Sequence, residues 1–518
     1  MDSLRRGTEV SEVRTPGSAT PRQRQATPKD WLGLVVLAFA VLLIAVDGTV
    51  LDLALPFISS DLSPTSNQLL WIIDVYSFVL AGLLITMGTL GDRIGRRKLL
   101  LIGAAGFGAA SVAAAFSSSP EMLIGSRVLQ GLSGATLMPA TLGLIRSMFT
   151  DARQRVMAIG VWGAMAGGGA AAGPLVGGWL LEHFWWGSVF LINIPVMIAL
   201  TAVGPLVIPE SKDPLPGKFD PVSSALSMLA LVPSVYAVKE FAAHGSDGGV
   251  LIAAMVGIGS GMLFVRRQKR LEDPMIDLRL FAHPAFSTAV FTNFLSVFAL
   301  AGVLFFGAQY LQLVLGNTPL EAGLLLLPGT AASIATSLLA AYLVRVFRPA
   351  TVLSAGLALA GVGAALLIGL RVDSGPALFI AGFVLVGGGA GVALTLTSDL
   401  VVGSVPPERA GAASAISETA YELGIALGVA ILGTVVMSYF RRGLDVDGLT
   451  GASAAAARET LGGAATVADS LPADIGSALT ASAHDAFVAG MHTASIATAV
   501  VMGATAVAVF VRLRCSAG

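Results

Sequence analysis

Six carboxylates stand inside otherwise hydrocarbon-like sequence: Asp47 and Asp52, Asp74, Asp399, and Glu418 with Glu422. A carboxylate near the middle of a bilayer costs about 2.5–3.5 kcal/mol on insertion scales, so each is a functional candidate by default. Two kinds of chemistry suit such an acid: loading and releasing a proton, and pairing with a cationic solute. Glu418 and Glu422 are four positions apart and share one helix face, with Tyr421 beside them in "ISETAYELGIALGVA". A carboxylate pair with an aromatic neighbour suits a lipophilic cation, through charge pairing and cation–π contact. Asp47 and Asp74 are the proton candidates. At ~1.5 Å per residue Asp47 falls roughly 24 Å from one membrane face, and Asp74 roughly 7 Å from the other, in a core about 30 Å thick. Those depths coincide, and two facing acids in low dielectric would share a proton. The plainer reading of Asp47 is a structural acid bonded to Thr49, Tyr76 or Arg127. Asp52, nearer the boundary, reads as solvated. Asp399 lies about 5 Å from a helix end and reads equally as an interfacial acid or a point of cation entry. Arg127 is the basic residue deep within a span, and its guanidinium needs an acid or a backbone partner.

These residues are positioned by helices that cross a membrane. The chain has 518 residues, 55% of them hydrophobic and 12% charged, with a mean hydropathy of +0.81. Soluble domains carry about 25% charged residues. Fourteen spans are predicted, at roughly 31–53, 69–90, 99–117, 122–146, 155–180, 187–208, 222–241, 249–266, 285–311, 320–344, 350–370, 376–402, 410–438 and 487–511. With the N-terminus inside, 25 of the 31 Lys and Arg fall in inside segments, against five outside: Lys239, Arg371, Arg441, Arg442 and Arg458. That asymmetry places both termini in the cytoplasm. The organisation expected is a disordered tail over 1–30, a six-helix bundle over 31–208, two linker spans over 222–266, and a second bundle over 285–511. A long outside loop at 439–486 interrupts that second bundle; its Ala-rich stretches read as surface helices.

Composition also excludes function classes. A net charge of −1 argues against a nucleic-acid partner, and one cysteine, Cys515, rules out an internal disulfide. The five histidines have no ligand spacing, so neither metal nor cofactor is expected. No Gly-x-x-x-x-Gly-Lys-Ser/Thr occurs, which leaves no ATP-hydrolysing motif. No Ser/His/Asp set marks an enzyme.

The turn "GTLGDRIGRRK" joins the second and third spans. Gly91 and Gly95 suit a tight return of the chain, and Arg93, Arg96, Arg97 and Lys98 satisfy the positive-inside rule. Topology alone does not need the ordered G-x-x-x-D-R-x-G-R-R-K pattern. Asp92 sits at a helix C-terminus, where the dipole repels it, and is better paired with another helix's N-terminus or with an arginine.

That turn resembles the signature of the major facilitator superfamily, where it forms a conformation-sensitive latch between two helical bundles. "RVLQGLSGA", Arg127 to Ala135, is similar to the family's span-4 motif. "GVWGAMAGGGAAAGPLVGGWL", Gly160 to Leu180, resembles the glycine-rich span-5 motif of its antiporters, with Gly173, Pro174 and Gly177 at its end. "AVDGTVLDLALP" and "WIIDVYSFVLAGLLITMGTLGDR" resemble the fourteen-helix drug:proton antiporters, most of all exporters of quaternary ammonium compounds and methyl viologen. Many members carry Asn where this chain has Asp52.

The resemblance implies an all-α membrane protein with the major-facilitator fold, two six-helix bundles plus two central helices. It implies proton coupling through Asp47, with Arg127 taking part, and acids in the thirteenth span. The expected function is proton-driven export of toxic cationic or amphipathic compounds across a bacterial inner membrane, with protons, such small molecules and the lipid bilayer as partners. Export of a single antibiotic or natural product is the alternative.

Overall fold

Thr27 starts the first helix. Its backbone N–H and hydroxyl both donate to the Asp30 carboxylate at 2.7 Å, and Pro28 supplies a preset φ at the first helical position. The computed structural model describes residues 25–515 apart from 65, 213–219, 245–246, 273, 407–409, 447–448 and 450; the side chains of some helical residues, Asp52, Asp74 and Pro174 among them, also fall outside it.

The N-terminal bundle comprises α1 (Pro28–Leu62), α2 (Ser66–Ile94), α3 (Arg96–Ala115), α4 (Pro120–Met148), α5 (Ala152–His183) and a sixth crossing broken into α6 (Ser188–Leu191) and α7 (Asn193–Val207). A hairpin of α8 (Pro221–His244) and α9 (Gly248–Gln268) follows. The second bundle holds α10 (Pro284–Gln309), α11 (Pro319–Leu343), α12 (Pro349–Leu366), α13 (Ala377–Gly403) and α14 (Ala410–Gly443). Two short helices, α15 (Gly451–Glu459) and α16 (Leu461–Asp469), precede the last, α17 (Ala473–Cys515). Among the described residues 13 helical stretches are long and apolar enough to cross a membrane, each at a predicted span. The remaining predicted span, 155–180, coincides with the 32-residue α5.

Side-chain caps set many helix starts. Ser119, Asp151 and Asp247 each accept a backbone N–H three residues on, and Thr318 forms a reciprocal capping box with Glu321. Within the first bundle α1 lies along α5 and α7, and α4 along α2 and α3; within the second, α13 lies along α11 and α12, and α14 along α10. The bundles meet where α2 packs on α14 and α5 on α11, with α8 beside both α2 and α14. Asp220 anchors the hairpin by accepting from Arg267 Nε at 2.9 Å and Nη2 at 3.0 Å. That fork holds the Asp220 carboxyl down at about 2, so its stabilisation is lost only as pH falls through that value and the pair stays intact at neutral pH.

Two boundaries differ from expectation. The first helix begins at Pro28 rather than after residue 30, and Ala26 N already donates to Gln154 Oε1 of α5 at 2.8 Å. The 439–486 segment is continuous with the fold: α14 runs on to Gly443, and α17 starts at Ala473, well before 487. Leu461, Ala464 and Leu479 join the buried core of the second bundle with Phe440 and Phe487. The two Ala-rich stretches are helical, with exposed residues beside buried ones such as Ala457, Leu461, Ala464, Leu479 and Ala483. Thr460 caps a fresh helix inside the first, accepting from Gly463 N at 2.9 Å, and the second is the start of α17.

Glycines bring α5 onto α1. A Cβ at Gly169 would strike the Leu42 carbonyl oxygen, and one at Gly173 would strike Thr49 Oγ1 and lie 3.2 Å from Val46 O. The span-5 glycines thus grip the turns of α1 on either side of Asp47. Gly173→Ala is expected to cost about 1–3 kcal/mol by overpacking, read as a lower melting temperature in detergent. Gly48→Ala is the matched control, because a Cβ there meets nothing within 4 Å.

Candidate functional site

Asp47 of α1 is 1% exposed and Arg127 of α4 is 2% exposed, and they form an ion pair with Nη1 2.9 Å from Oδ2. The same Nη1 donates to Gln130 Oε1 at 3.2 Å, and the guanidinium lies over the Tyr76 ring of α2, 4.4 Å from its centroid. The other Asp47 oxygen accepts from Asn193 Nδ2 of α7 at 2.8 Å. Ser111 of α3 closes the ring, its hydroxyl oxygen accepting from Gln130 Nε2 at 2.9 Å and from Asn193 Nδ2 at 3.1 Å. Helices α1, α2, α3, α4 and α7 thus converge on one buried ion pair. Three polar atoms around it, Tyr76 Oη, Arg127 Nε and Asn193 Oδ1, have no hydrogen-bond partner among the described residues.

Of the readings of Asp47, the ion pair with Arg127 is the one found. Thr49 instead donates to the carbonyls of Ala45 and Val46, at 3.2 Å each. Asp74 lies on α2 two residues before Tyr76, with its side chain outside the described ones. Asn193 and Ser111 were not anticipated. Their signal was a polar residue inside each of two apolar runs, "LINIPVMIAL" and "GAASVAAAF", which reads equally as close helix packing.

The charged turn is assembled at the basic end of the bundles. Asp92 Oδ1 accepts from Arg96 Nε at 2.8 Å, with Nη2 at 2.7 Å, while Oδ2 accepts from the Ala412 backbone N–H at 2.9 Å. Ala412 is in the first turn of α14, so a carboxylate repelled by its own helix end is held by the positive end of another. Gly88 and Gly411 permit the approach: a Cβ at Gly88 would sit 2.7 Å from Gly411 O, and one at Gly411 would strike Asp92. Arg96 is fully buried and also donates to Ser211 Oγ at 2.8 Å. Gly95 takes φ +112°, and a Cβ there would meet Glu210, whose carboxylate accepts the first N–H groups of α3 from Arg97 and Lys98 at 3.0 and 3.2 Å. A Cβ at Gly91 would press on Leu99 at 3.3 Å. Arg93 is exposed and joins none of these contacts.

Two further bonds cross the bundle boundary at this end. Arg155 Nε of α5 meets Asp399 Oδ1 of α13 at 2.6 Å, and Arg146 Nε of α4 donates to Val402 O at 3.2 Å. Asp399, expected as an interfacial acid or cation contact, is occupied by Arg155 and belongs to the closure of this end.

On α14, Glu418 is 3% exposed, while Tyr421 and Glu422 are partly exposed. The two glutamates act on each other electrostatically, and both act on Tyr421. Glu422 is also close enough for its charge to reach the Tyr76 hydroxyl on α2. Glu422 of the second bundle is therefore within electrostatic reach of the Tyr76 ring that covers Arg127 in the first. Asn293 of α10 secures this stretch, donating Nδ2 to Ser417 O at 3.0 Å. Phe306 and Tyr310 are wholly buried in the second bundle's core, and Tyr310 Oη donates to Arg371 O at 2.9 Å. Phe305 remains 40% exposed.

Removing one partner of a buried pair strands the other charge, at a cost of about 3–5 kcal/mol, whereas removing both is far milder. Asp47→Asn is accordingly expected to lower the melting temperature in detergent more than Asp47→Asn with Arg127→Gln; equal melting would show that the pair is not coupled. At the basic end, Asp92→Asn removes the charge held by α14. Ala413→Cys, a wholly buried position beside Ala412, should then be labelled by a thiol reagent about tenfold faster, the worth of one charge-assisted hydrogen bond.

Comparison with known proteins agrees with this geometry. Residues 37–429 match the Major Facilitator Superfamily. The chain is 49% identical over 490 residues to the multidrug efflux pump LfrA of Mycolicibacterium smegmatis, covering 94% of this chain and 97% of that one. It is 37% identical over 476 residues to the methyl viologen resistance protein SmvA of Salmonella typhimurium, covering 91% and 95%. The solved structure of the human organic anion transporter MFSD10 superposes with a TM-score of 0.59 at 16% identity, covering 92% of this chain and all of that one, a likeness of fold. The family match over residues 37–429 and the identity to LfrA over nearly the whole chain show that this multi-pass, two-bundle membrane protein belongs to the major facilitator superfamily.

Proposed function

We propose that this chain exports cationic or amphipathic toxic compounds across a bacterial inner membrane in exchange for protons, with its basic end and both termini in the cytoplasm. The observation that carries the reading is that Glu422, which interacts with Glu418 on α14, lies within electrostatic reach of Tyr76, whose ring covers the Arg127 partner of Asp47. The pump and resistance functions in the relatives' names support it, and the Lys/Arg distribution supports the orientation.

In this reading Asp47 exchanges its guanidinium partner for a proton. When the acid is neutral, Arg127 loses its counter-charge and keeps only Gln130 and the face of Tyr76. The freed positive charge repels a cation held at Glu422 and Glu418, and so favours its release. When Asp47 gives up its proton, the pair re-forms and the glutamates again accept a cation. Tyr76 Oη, Arg127 Nε and Asn193 Oδ1 offer hydrogen-bonding capacity to whatever brings the proton. Asp74, on the helix of Tyr76, is the acid by which protons arrive. An inward proton gains about 2.3 kcal/mol per 100 mV of membrane potential, enough for more than a tenfold gradient of drug.

The test is efflux of a fluorescent lipophilic cation from cells or inverted vesicles. Wild-type efflux should stop with a proton uncoupler, and Asp47→Asn should reduce it at least tenfold. Glu418→Gln should weaken efflux of cations more than that of neutral substrates. Efflux that persists in Asp47→Asn and in the presence of uncoupler would overturn the antiport mechanism.

A further inference from the structure

Between the inner ends of α8 and α9 lies a cavity of about 350 Å³, lined by Val222, Leu226, Leu263, Leu271 and the three arginines Arg266, Arg267 and Arg270. It is far in sequence from the Asp47 cluster and plays no part in the chemistry above. Its two halves differ in character. One is a wall of aliphatic side chains, of which Val222 is 50% and Leu263 56% exposed. The other is guanidinium. Arg267 is neutralised by Asp220, whereas Arg266 and Arg270 have no acid partner among the described residues.

From this arrangement we infer that the α8–α9 hairpin carries a binding site for an anionic phospholipid, its phosphate between Arg266 and Arg270 and an acyl chain along Leu226 and Leu263. Arg266 and Arg270 are four positions apart at the end of α9, where like charges repel unless an anion lies between them. The negative end of the helix dipole opposes an anion here, but the last turns are closed by Lys269 N to Val265 O at 3.1 Å and Arg270 N to Arg267 O at 2.9 Å, and two unpaired guanidinium groups outweigh a fractional charge. A small soluble anion would use the arginines and leave the leucines unused. A phospholipid uses both, because the hairpin faces lipid outward with Leu251, Met255, Ile258 and Met262 exposed. Arginine binds phosphate in a planar, two-pronged fashion that lysine does not, and basic pockets between spanning helices on the cytoplasmic side suit anionic headgroups.

The placement gives such a lipid consequence. Phe264 of α9 and Leu226 of α8 share one apolar cluster with Ile85 of α2 and with Ala413 and Ile416 of α14, the helices joined by the Asp92 latch. A headgroup clamping the hairpin thus bears on the bundle boundary at its closing end. The leaflet assignment rests on the orientation proposed above; the binding itself does not.

The experiment is native mass spectrometry of the full-length protein, released from micelles holding equal amounts of phosphatidylglycerol and phosphatidylethanolamine. Wild type should retain phosphatidylglycerol in preference. The preference should fall about fivefold with Arg270→Gln and again with Arg266→Gln added. Arg345→Gln with Arg348→Gln, which removes the same charge from an exposed part of the basic end, should leave it unchanged. Equal retention of the two lipids, or an equal loss in that control pair, would overturn the site. Displacement of the bound lipid by millimolar inorganic phosphate would assign the arginines to a soluble anion instead. Since none of these readings involves transport, they stand or fall separately from the antiport mechanism.

Discussion

Placing a carboxylate and a guanidinium in the interior of a membrane protein costs several kcal/mol per ion before any attraction is counted. The Asp47–Arg127 pair is compensated by geometry: both carboxylate oxygens are engaged, the guanidinium has an amide and an aromatic face as well as its acid, and Ser111 ties the amides together. Five helices supply those groups, so the pair fixes how α1, α2, α3, α4 and α7 sit relative to one another. A salt bridge of this kind adds little stability over an apolar core of equal volume. In the proposed mechanism the pair keeps an ionisable group where a proton is exchanged.

The same economy governs the glycines. Helices in lipid gain no hydrophobic energy by leaving it, so they associate through close packing. Gly169 and Gly173 press α5 onto the turns of α1 that flank Asp47, and Gly88 and Gly411 press α2 onto α14 beside Asp92. At Gly88 and Gly411 the missing side chains permit the Asp92 contact with the Ala412 N–H, and at Gly169 and Gly173 they permit close approach of the helices. The described contribution of the span-5 motif is this grip on α1; the side chain of Pro174 lies outside the described ones.

Much of this was legible in the sequence, for identifiable reasons. The spans follow from apolar runs, and all the long helices fall on predicted segments. Asp92 was expected at another helix's N-terminus or with an arginine, from the dipole argument alone, and it is held by both. Side-chain direction was less legible. Depth along a helix is a matter of counting, but azimuth depends on neighbours: Arg127 was one of three partners expected for Asp47 and is the one found, while the side chain of Asp74 lies outside the described ones. Asp399 and Arg155 are 244 positions apart, and nothing local to either marks the pairing. The early start of α1 was readable and overlooked: Thr-Pro-x-Asp before an apolar run is a helix-start signature.

The two ionic centres are held in different ways, and the difference bears on mechanism. Asp92 is bound to both bundles at once, through Arg96 on one side and the α14 N-terminus on the other, so its bonds with α14 must break whenever the basic end opens. Among the described residues, the hydrogen-bond partners of Asp47 belong to the first bundle, so a rigid-body rotation of the bundles leaves them in place. Coupling the two then requires an element common to both, and α14 is the candidate: its first turn receives Asp92, and two to three turns further on it carries Glu418 and Glu422, whose field reaches Tyr76. In the proposed exchange, a cation at Glu418 and Glu422 would alter the charge balance on the same helix whose first turn holds Asp92. Alternating access needs that connection, because a latch insensitive to the occupancy of the site would let substrate and protons pass independently.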